Sequence, residues 1–234
     1  MDEALRSDAE VLEVYLADDD HAVGALAEAS GIPVWATSER VIAALAETAT
    51  PQGCVAVVRT PEASLEAATR ADLVLVLAEV RDPGNAGTLI RSAAAMGADC
   101  VVVSSESVDV WSSKTVRASA GSVWRVPVVT EVPLDETVEA LRSFGLRVLG
   151  TDARADVPLD HEDLTGRIAL VVGNESRGVG EAARRHVDRE VSIPMSGRAD
   201  SLNAGVAGSV LLYEAARQRR EASRLSLRPD GPDE

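Results

Sequence analysis

Cysteine is scarce in this 234-residue chain. Cys54 and Cys100 lie far apart, in or beside apolar runs, and only His21, His161 and His186 could join them as ligands. That scarcity excludes a disulfide framework and argues against a structural zinc, which needs four such donors. Two buried free thiols and no metal are expected. Long apolar runs are also missing: none approaches the ~20 residues of a membrane-spanning helix. The opening Met-Asp-Glu-Ala-Leu-Arg has no basic and apolar signal segment, so a cytoplasmic protein with no membrane partner is the default. Positive charge is short as well, with 23 bases against 38 acids and a net charge of −15. Such a chain does not grip nucleic acid over its whole surface.

What is present is ample apolar material, 46% of residues, for one large or two small domains. The acidity is uneven. Residues 1 to 66 hold 13 acids and 3 bases, residues 67 to 234 hold 25 and 20. In the later part Arg81, Arg91, Lys114, Arg117, Arg125, Arg177 and Arg198 fall in or near glycine- and serine-rich loops, which allows a local positive rim on an acidic body. The blander reading is a scatter of solvated charges.

Residues 1–60 read as a small α/β domain: helix from Asp2 to Leu5, strand from Val11 to Leu16, helix from Ala22 to Ser30 closed by Gly31, a short strand at Val34-Trp35, a helix from Glu39 to Ala46 capped by Ser38, and a strand from Gly53 to Val58. Residues 61–71 read as a linker. From Asp72 strands and helices alternate, which specifies an α/β domain with a mostly parallel sheet over 72–222, and 223–234 reads as a disordered tail.

Three stretches carry the chemistry. The first is the strand Leu73 to Val80, then Asp82-Pro83-Gly84-Asn85-Ala86-Gly87, a small-residue helix after Asn85 that includes Arg91, and the strand Cys100 to Val103. This is a βαβ unit, so its strands should be parallel, and ligands bind beyond the carboxyl ends of such strands. The second is Ile168 to Val172 followed by Gly173-Asn174-Glu175-Ser176-Arg177-Gly178. The third is Val191-Ser192-Ile193-Pro194-Met195 leading into Ser201-Leu202-Asn203 and a long helix with Gly205 and Gly208. Two helical glycines cost ~1 kcal/mol each against alanine, so close backbone approach is their expected purpose.

Together, in this order and spacing, these stretches resemble the three signature motifs of the SpoU (TrmH-like) RNA 2′-O-ribose methyltransferases of the SPOUT superfamily, over roughly residues 70 to 220. The resemblance implies helices on both sheet faces, a C-terminal trefoil knot and S-adenosylmethionine as cofactor. Carried over position by position, it implies Asn85, Arg91, Glu175, Ser201 and Asn203 as catalytic residues. Thr151, Gly173, Asn174, Ile193, Met195 and Leu202 would line the cofactor pocket, Ile193 and Leu202 as apolar walls beside main-chain groups. Arg91 is proposed as the base in this family. Deprotonating a guanidinium near neutrality costs about 8 kcal/mol, so we read Arg91 instead as a ligand fixing a phosphate and the attacking hydroxyl. Glu175 could equally be a structural carboxylate capping backbone N–H groups.

The end of the first domain resembles the ribosomal-protein-like substrate-binding domain found at the N-terminus of many SpoU enzymes. It departs from them in lacking a basic first segment and a first strand ending in a Glu-Gly turn, so either the domain is shortened or the start of the chain was assigned late. The implied partners are RNA, ribosomal before transfer RNA and not DNA, and a second copy of the chain. In that homodimer Lys114 and Arg117 of one subunit would bind RNA near Arg91 of the other, with Val206, Val210 and Leu211 at the contact. Two rival readings stand beside this one. A nicotinamide oxidoreductase needs a G-x-G-x-x-G after its first strand, which Gly84-Asn-Ala-Gly87 does not supply. A catalytically inactive RNA-binding relative has the same fold and is separated by cofactor titration.

Overall fold

A computed structural model describes residues 1–17, 21–48, 50–174 and 186–226. The chain divides into two compact units: Met1–Glu62 with Ala120–Arg125, and Ala63–Ser119 with Val126–Glu234.

The first unit contains α1 (Asp2–Leu5), β1 (Val11–Ala17), α2 (His21–Ala29), β2 (Val34–Thr37), α3 (Glu39–Leu45) and β3 (Cys54–Val58). Its sheet runs β2-β1-β3, parallel on one side of β1 and antiparallel on the other. Alternation along the strands turns Val14, Val34, Ala56 and Val58 into a core with Ala4, Val11, Ala27 and Trp124. Trp124 comes from the returning segment 120–125, as does Arg125, which is paired with Glu3 rather than free for a basic rim. Ser38 precedes α3 but its side chain makes no capping bond, contrary to the sequence reading.

The second unit contains β4 (Leu73–Leu77), α4 (Pro83–Met96), β5 (Cys100–Ser104), α5 (Ser113–Ala118), β6 (Val128–Val132), α6 (Leu134–Ser143), β7 (Arg147–Thr151), β8 (Val157–Pro158), β9 (Ile168–Val172), β10 (Arg189–Ser192) and α7 (Ala204–Ser226). Its sheet runs β6-β5-β4-β9-β7-β10-β8 and is parallel at every pairing. Central strands covered on both faces read as unbroken apolar runs, and every residue of β4, β5 and β9 is buried. Val138 and Leu141 of α6 pack on the face carrying Val74, Val76, Ala169 and Val171. The opposite face receives α4 and α7.

Burial pushes the Cys100 thiol up to about 12. Cys54 is half-buried, not buried as expected, because β3 lies at a sheet edge. The helix α7 runs to Ser226, so residues 223–226 continue a helix rather than belong to a tail; 227–234 lie outside the described residues. So does the helix expected near Glu181 to Arg185. After β10, beyond β7, the chain returns to lay α7 on α4 and β9, the crossing where the resemblance puts the knot. No described helix is long and apolar enough to cross a membrane.

Glycines set how closely the helices meet. A Cβ on Gly208 of α7 would lie 2.1 Å from Leu89 Cδ2 and 3.1 Å from Val172 Cγ2. On Gly87 of α4 it would lie 2.4 Å from Ala118 Cβ and 2.8 Å from the Ser119 nitrogen, which is backbone and cannot swing away. Forcing α4 and α5 apart costs about 1–3 kcal/mol. The gain in helix propensity from alanine returns only ~1 kcal/mol of that. Gly87→Ala is therefore expected to lower Tm by several degrees, at about 2–4 °C per kcal/mol. Gly166→Ala, which meets nothing within 4 Å, should leave it nearly unchanged. Equal melting temperatures for the two variants would refute the close-approach account.

Candidate active site

Four parallel strands finish level at one edge of the second unit's sheet. Leu77 of β4 pairs with Val172 of β9, Gly150 of β7 with Val171, and Thr151 with Val191 of β10. Since β4, β9, β7 and β10 are neighbours in that order, the loops beginning at Ala78, Gly173, Asp152 and Ile193 leave the sheet side by side. This is the carboxyl edge at which open parallel sheets bind ligands.

The loop after β4 is held from behind by two serines. Ser104 and Ser107 hydrogen-bond to each other, Glu79 N–H donates to Ser104 Oγ (3.2 Å), Val80 N–H donates to Ser107 Oγ (3.1 Å), and Ser107 Oγ donates to the Leu77 carbonyl. Glu79 has φ 56°, a left-handed conformation that costs a non-glycine residue on the order of 1 kcal/mol or more, and these bonds hold it there. The chain then enters α4 earlier than the sequence reading had it. Asp82 is the N-cap, its Oδ1 accepting from Asn85 N–H at 2.8 Å, and Pro83 takes the first helical position, where its missing N–H costs nothing. Asn85 is thereby fixed in the first helical turn instead of preceding it.

At the other end of the sequence, Asn203 opens α7. Its Oδ1 accepts from Val206 N–H (3.3 Å) while its Nδ2 donates to Asn85 Oδ1 (2.9 Å). One side chain therefore caps a helix and ties it to another whose partner residue is 118 positions away. Gly205 permits this, since a Cβ there would press to 3.2 Å on Asn203 Oδ1 and 3.3 Å on Asn85 Oδ1. Two turns further along, Ser92 and Ser209 hydroxyls meet at 2.7 Å across the same helix pair.

Arg91 is exposed on α4, one turn beyond Gly87, where α5 packs. Lys114 and Arg117 are exposed on α5, so the three bases belong to adjoining helices of one chain. Ser201 is exposed in the segment that precedes α7. Glu175 lies outside the described residues. Among the pocket positions Gly173 is buried, Thr151, Asn174 and Ile193 are half-buried at or just beyond the level strand ends, and Met195 and Leu202 are half-buried in the segment between β10 and α7. The Thr151 hydroxyl donates its proton to the Val171 carbonyl (3.0 Å), fastening β7 to β9 at this edge. A buried glycine, apolar side chains and loop main chain form a donor set that fits an adenosine-bearing cofactor better than a metal. Among the described residues no group of His, Cys, Asp and Glu is placed to hold a metal ion.

Ser104, Ser107 and Ser92 carry no local signal in the sequence, and Ser209 reads there only as one of the small residues of a closely packed helix. Asp82 was within the motif, and its position immediately before Pro83 is the local signal for a cap.

Two family models match this chain: the SpoU rRNA Methylase family over residues 72–213, and RNA 2′-O ribose methyltransferase substrate binding over residues 2–64. The 23S rRNA (guanosine(2553)-2′-O)-methyltransferase RlmP of Bacillus subtilis is 37% identical over 213 residues, covering 91% of this chain and 84% of its own length. An uncharacterized tRNA/rRNA methyltransferase of Mycolicibacterium smegmatis is 41% identical over 160 residues, 67% of this chain; the match takes in 51% of that relative, about half its length. Among solved structures, the SpoU methyltransferase AviRb from Streptomyces viridochromogenes in complex with AdoMet superimposes with a TM-score of 0.83 at 33% identity, covering 94% of this chain and 87% of that one.

Proposed function

This chain belongs to the SpoU rRNA methylase family, and from that premise we propose that it transfers the methyl group of S-adenosylmethionine to a ribose 2′-hydroxyl, in ribosomal rather than transfer RNA, acting in the cytoplasm. The observation that carries the reading is the Asn203–Asn85 hydrogen bond at the level ends of β4, β9, β7 and β10, which unites the first and third motifs. The preference for ribosomal RNA draws on the activity named for the Bacillus subtilis relative.

Main-chain groups at Thr151, Gly173 and Asn174 would hold the cofactor, with Ile193, Met195 and Leu202 as its apolar walls. When bound, S-adenosylmethionine supplies an electrophilic sulfonium methyl group. The ribose hydroxyl must be aimed in line with that group and must lose its proton. Asn85 and Asn203, locked to one another, form a fixed polar floor for it. Arg91 is exposed on α4 and serves as a planar fork that holds a phosphate and orients the hydroxyl, with a phosphate oxygen or water taking the proton. Ser201 and Glu175 keep the polar roles their motif positions imply.

Arg91→Ala is expected to bind S-adenosylmethionine as the native chain does and to lose methyl transfer to ribosomal RNA by on the order of 100-fold, since misplacing one reactant costs that much. Arg91→Lys should fail similarly, because a point ammonium lacks the fork. Near-native turnover in the lysine variant, measured as 2′-O-methyl groups formed, would reject the assignment. A native chain that binds the cofactor and methylates neither ribosomal nor transfer RNA would favour the inactive RNA-binding relative.

We also propose a homodimer formed through α7. Val206, Val210 and Tyr213, spaced one turn apart, are exposed on one stripe of that helix, whereas Leu211, assigned to the contact from sequence, is buried in the protein's own core. The packing of α5 on α4 within one chain supports Lys114 and Arg117 acting with Arg91 of the same subunit, the alternative to the arrangement across a two-fold axis. Sedimentation is expected to give twice 24.5 kDa for the native chain and 24.5 kDa for Val210→Asp. A native monomer would refute the dimer. Mixing an Arg91→Ala chain with a Lys114→Ala/Arg117→Ala chain should restore no activity; restoration would return the bases to opposite subunits.

A further inference from the structure

Resting on the methyl-transfer reading above, we propose that Thr88 is a further RNA-contacting residue of this site, its hydroxyl donating to the phosphate that Arg91 holds. Packing fixes where Thr88 stands. A Cβ on Gly205 of α7 would lie 3.2 Å from Asn203 Oδ1, 3.3 Å from Asn85 Oδ1 and 3.4 Å from Thr88 Cβ, so Thr88 adjoins the asparagine pair that joins the first and third motifs. It follows Asn85 by three residues and precedes Arg91 by three. Residues at that spacing are neighbours on a helix surface, with about 5–6 Å between Cβ atoms. Thr88 therefore bridges the polar floor and the planar fork. Its chain neighbours are covered: Gly87 abuts Ala118 of α5, and Leu89 is buried against Gly208 of α7. Thr88 itself is exposed and faces out between those two helices.

Its hydroxyl is uncommitted. A serine or threonine inside a helix commonly bonds back to the carbonyl four residues earlier. In this chain Thr137 does so to Pro133 (3.0 Å), Ser209 to Gly205 (2.7 Å) and Ser223 to Arg219 (2.9 Å). Among the described residues Thr88 has no such bond to Gly84 and no other hydrogen-bond partner. A branched Cβ also leaves threonine few rotamers, so holding a ligand costs it less ordering than a long side chain would pay.

The neighbours select the ligand. Arg91 lies one turn on, and Lys114 and Arg117 are exposed on the adjoining α5, so an anion is drawn to this strip of α4. On a ribose, the carbon that bears the 3′-phosphate is bonded to the one that bears the 2′-hydroxyl. A 2′-hydroxyl seated at the asparagine pair thus brings its own phosphate toward Thr88 and Arg91. A neutral O–H donor beside the guanidinium restrains that phosphate from a second direction, and hydrogen bonds to a charged acceptor are the strong ones.

Binding of an unmodified 23S ribosomal RNA transcript, the RNA named for the Bacillus subtilis relative, tests this with S-adenosylhomocysteine present so that no methyl group transfers. Thr88→Val keeps the branched shape and drops the hydroxyl. It is expected to weaken binding about tenfold, the size of one hydrogen bond to a charged group. Thr88→Ser should recover most of that loss, and S-adenosylmethionine affinity should be the same in all three chains. Combined with Arg91→Ala, Thr88→Val should cost less than the two single losses multiplied, because both side chains hold one phosphate. Four results would each overturn the contact: no binding by the native chain; native affinity in Thr88→Val; equal losses in Thr88→Val and Thr88→Ser, the mark of packing; or full multiplication of the two losses, which puts hydroxyl and fork on separate groups. Methyl transfer is scored apart. A native chain that binds the transcript and forms no 2′-O-methyl groups contradicts the methyl-transfer reading, while the losses at Thr88 still decide the contact.

Discussion

The close approach of α7 to α4 is the constraint on which the rest of the second unit depends. Gly205 and Gly208 remove the side chains that would hold the helices apart, Asn203 bonds across to Asn85, and Ser209 meets Ser92 further along. Each bond is individually worth about 1 kcal/mol. Their importance is geometric. They fix the first turn of α4, which carries Asn85, to the segment 193–203, which carries Ile193, Met195, Leu202 and Asn203, though the two are more than a hundred residues apart in sequence.

A second constraint acts behind the first. The strand ends are level because β9 inserts between β4 and β7, with Ala78 N–H donating to the Val172 carbonyl just past the ladder. The loop after β4 then turns through a left-handed Glu79, held by Ser104 and Ser107 from the neighbouring strand end. Local strain at Glu79 is sustained by these bonds and delivers Asp82 to its capping position. Sheet register, loop strain and helix capping thus act in series to place Asn85.

Much of this was legible in the sequence. Unbroken apolar runs at Leu73–Leu77, Cys100–Ser104 and Ile168–Val172 are what doubly covered parallel strands require, and the glycine- and serine-rich stretches after them marked the functional edge. Glycines 205 and 208 signalled close packing because a helix has no other use for them. What was not legible is long-range. Nothing local says that Ser104 and Ser107 will sit under the loop at Glu79, that Trp124 will pack with the first unit, or that Cys54 will fall on an edge strand. The helix starts before Asn85, where the glycines alone point, because Asp82-Pro83 is its cap. Glu175 and the helix expected after it lie outside the described residues, so that part of the second motif rests on its match alone.

Charge separates the two units as much as topology does. Residues 1–66 hold 13 acids against 3 bases and residues 67–234 hold 25 against 20, so the acidity is concentrated in the first unit. The level ends of β7, β9 and β10 are the proposed seat of S-adenosylmethionine. Calorimetric titration of the cofactor into the native chain and into Gly173→Val tests it most directly. The account requires saturable one-to-one binding that valine at position 173 abolishes while the sheet stays folded, as judged by an unchanged far-UV dichroism spectrum. Undiminished affinity in a folded Gly173→Val chain would contradict it.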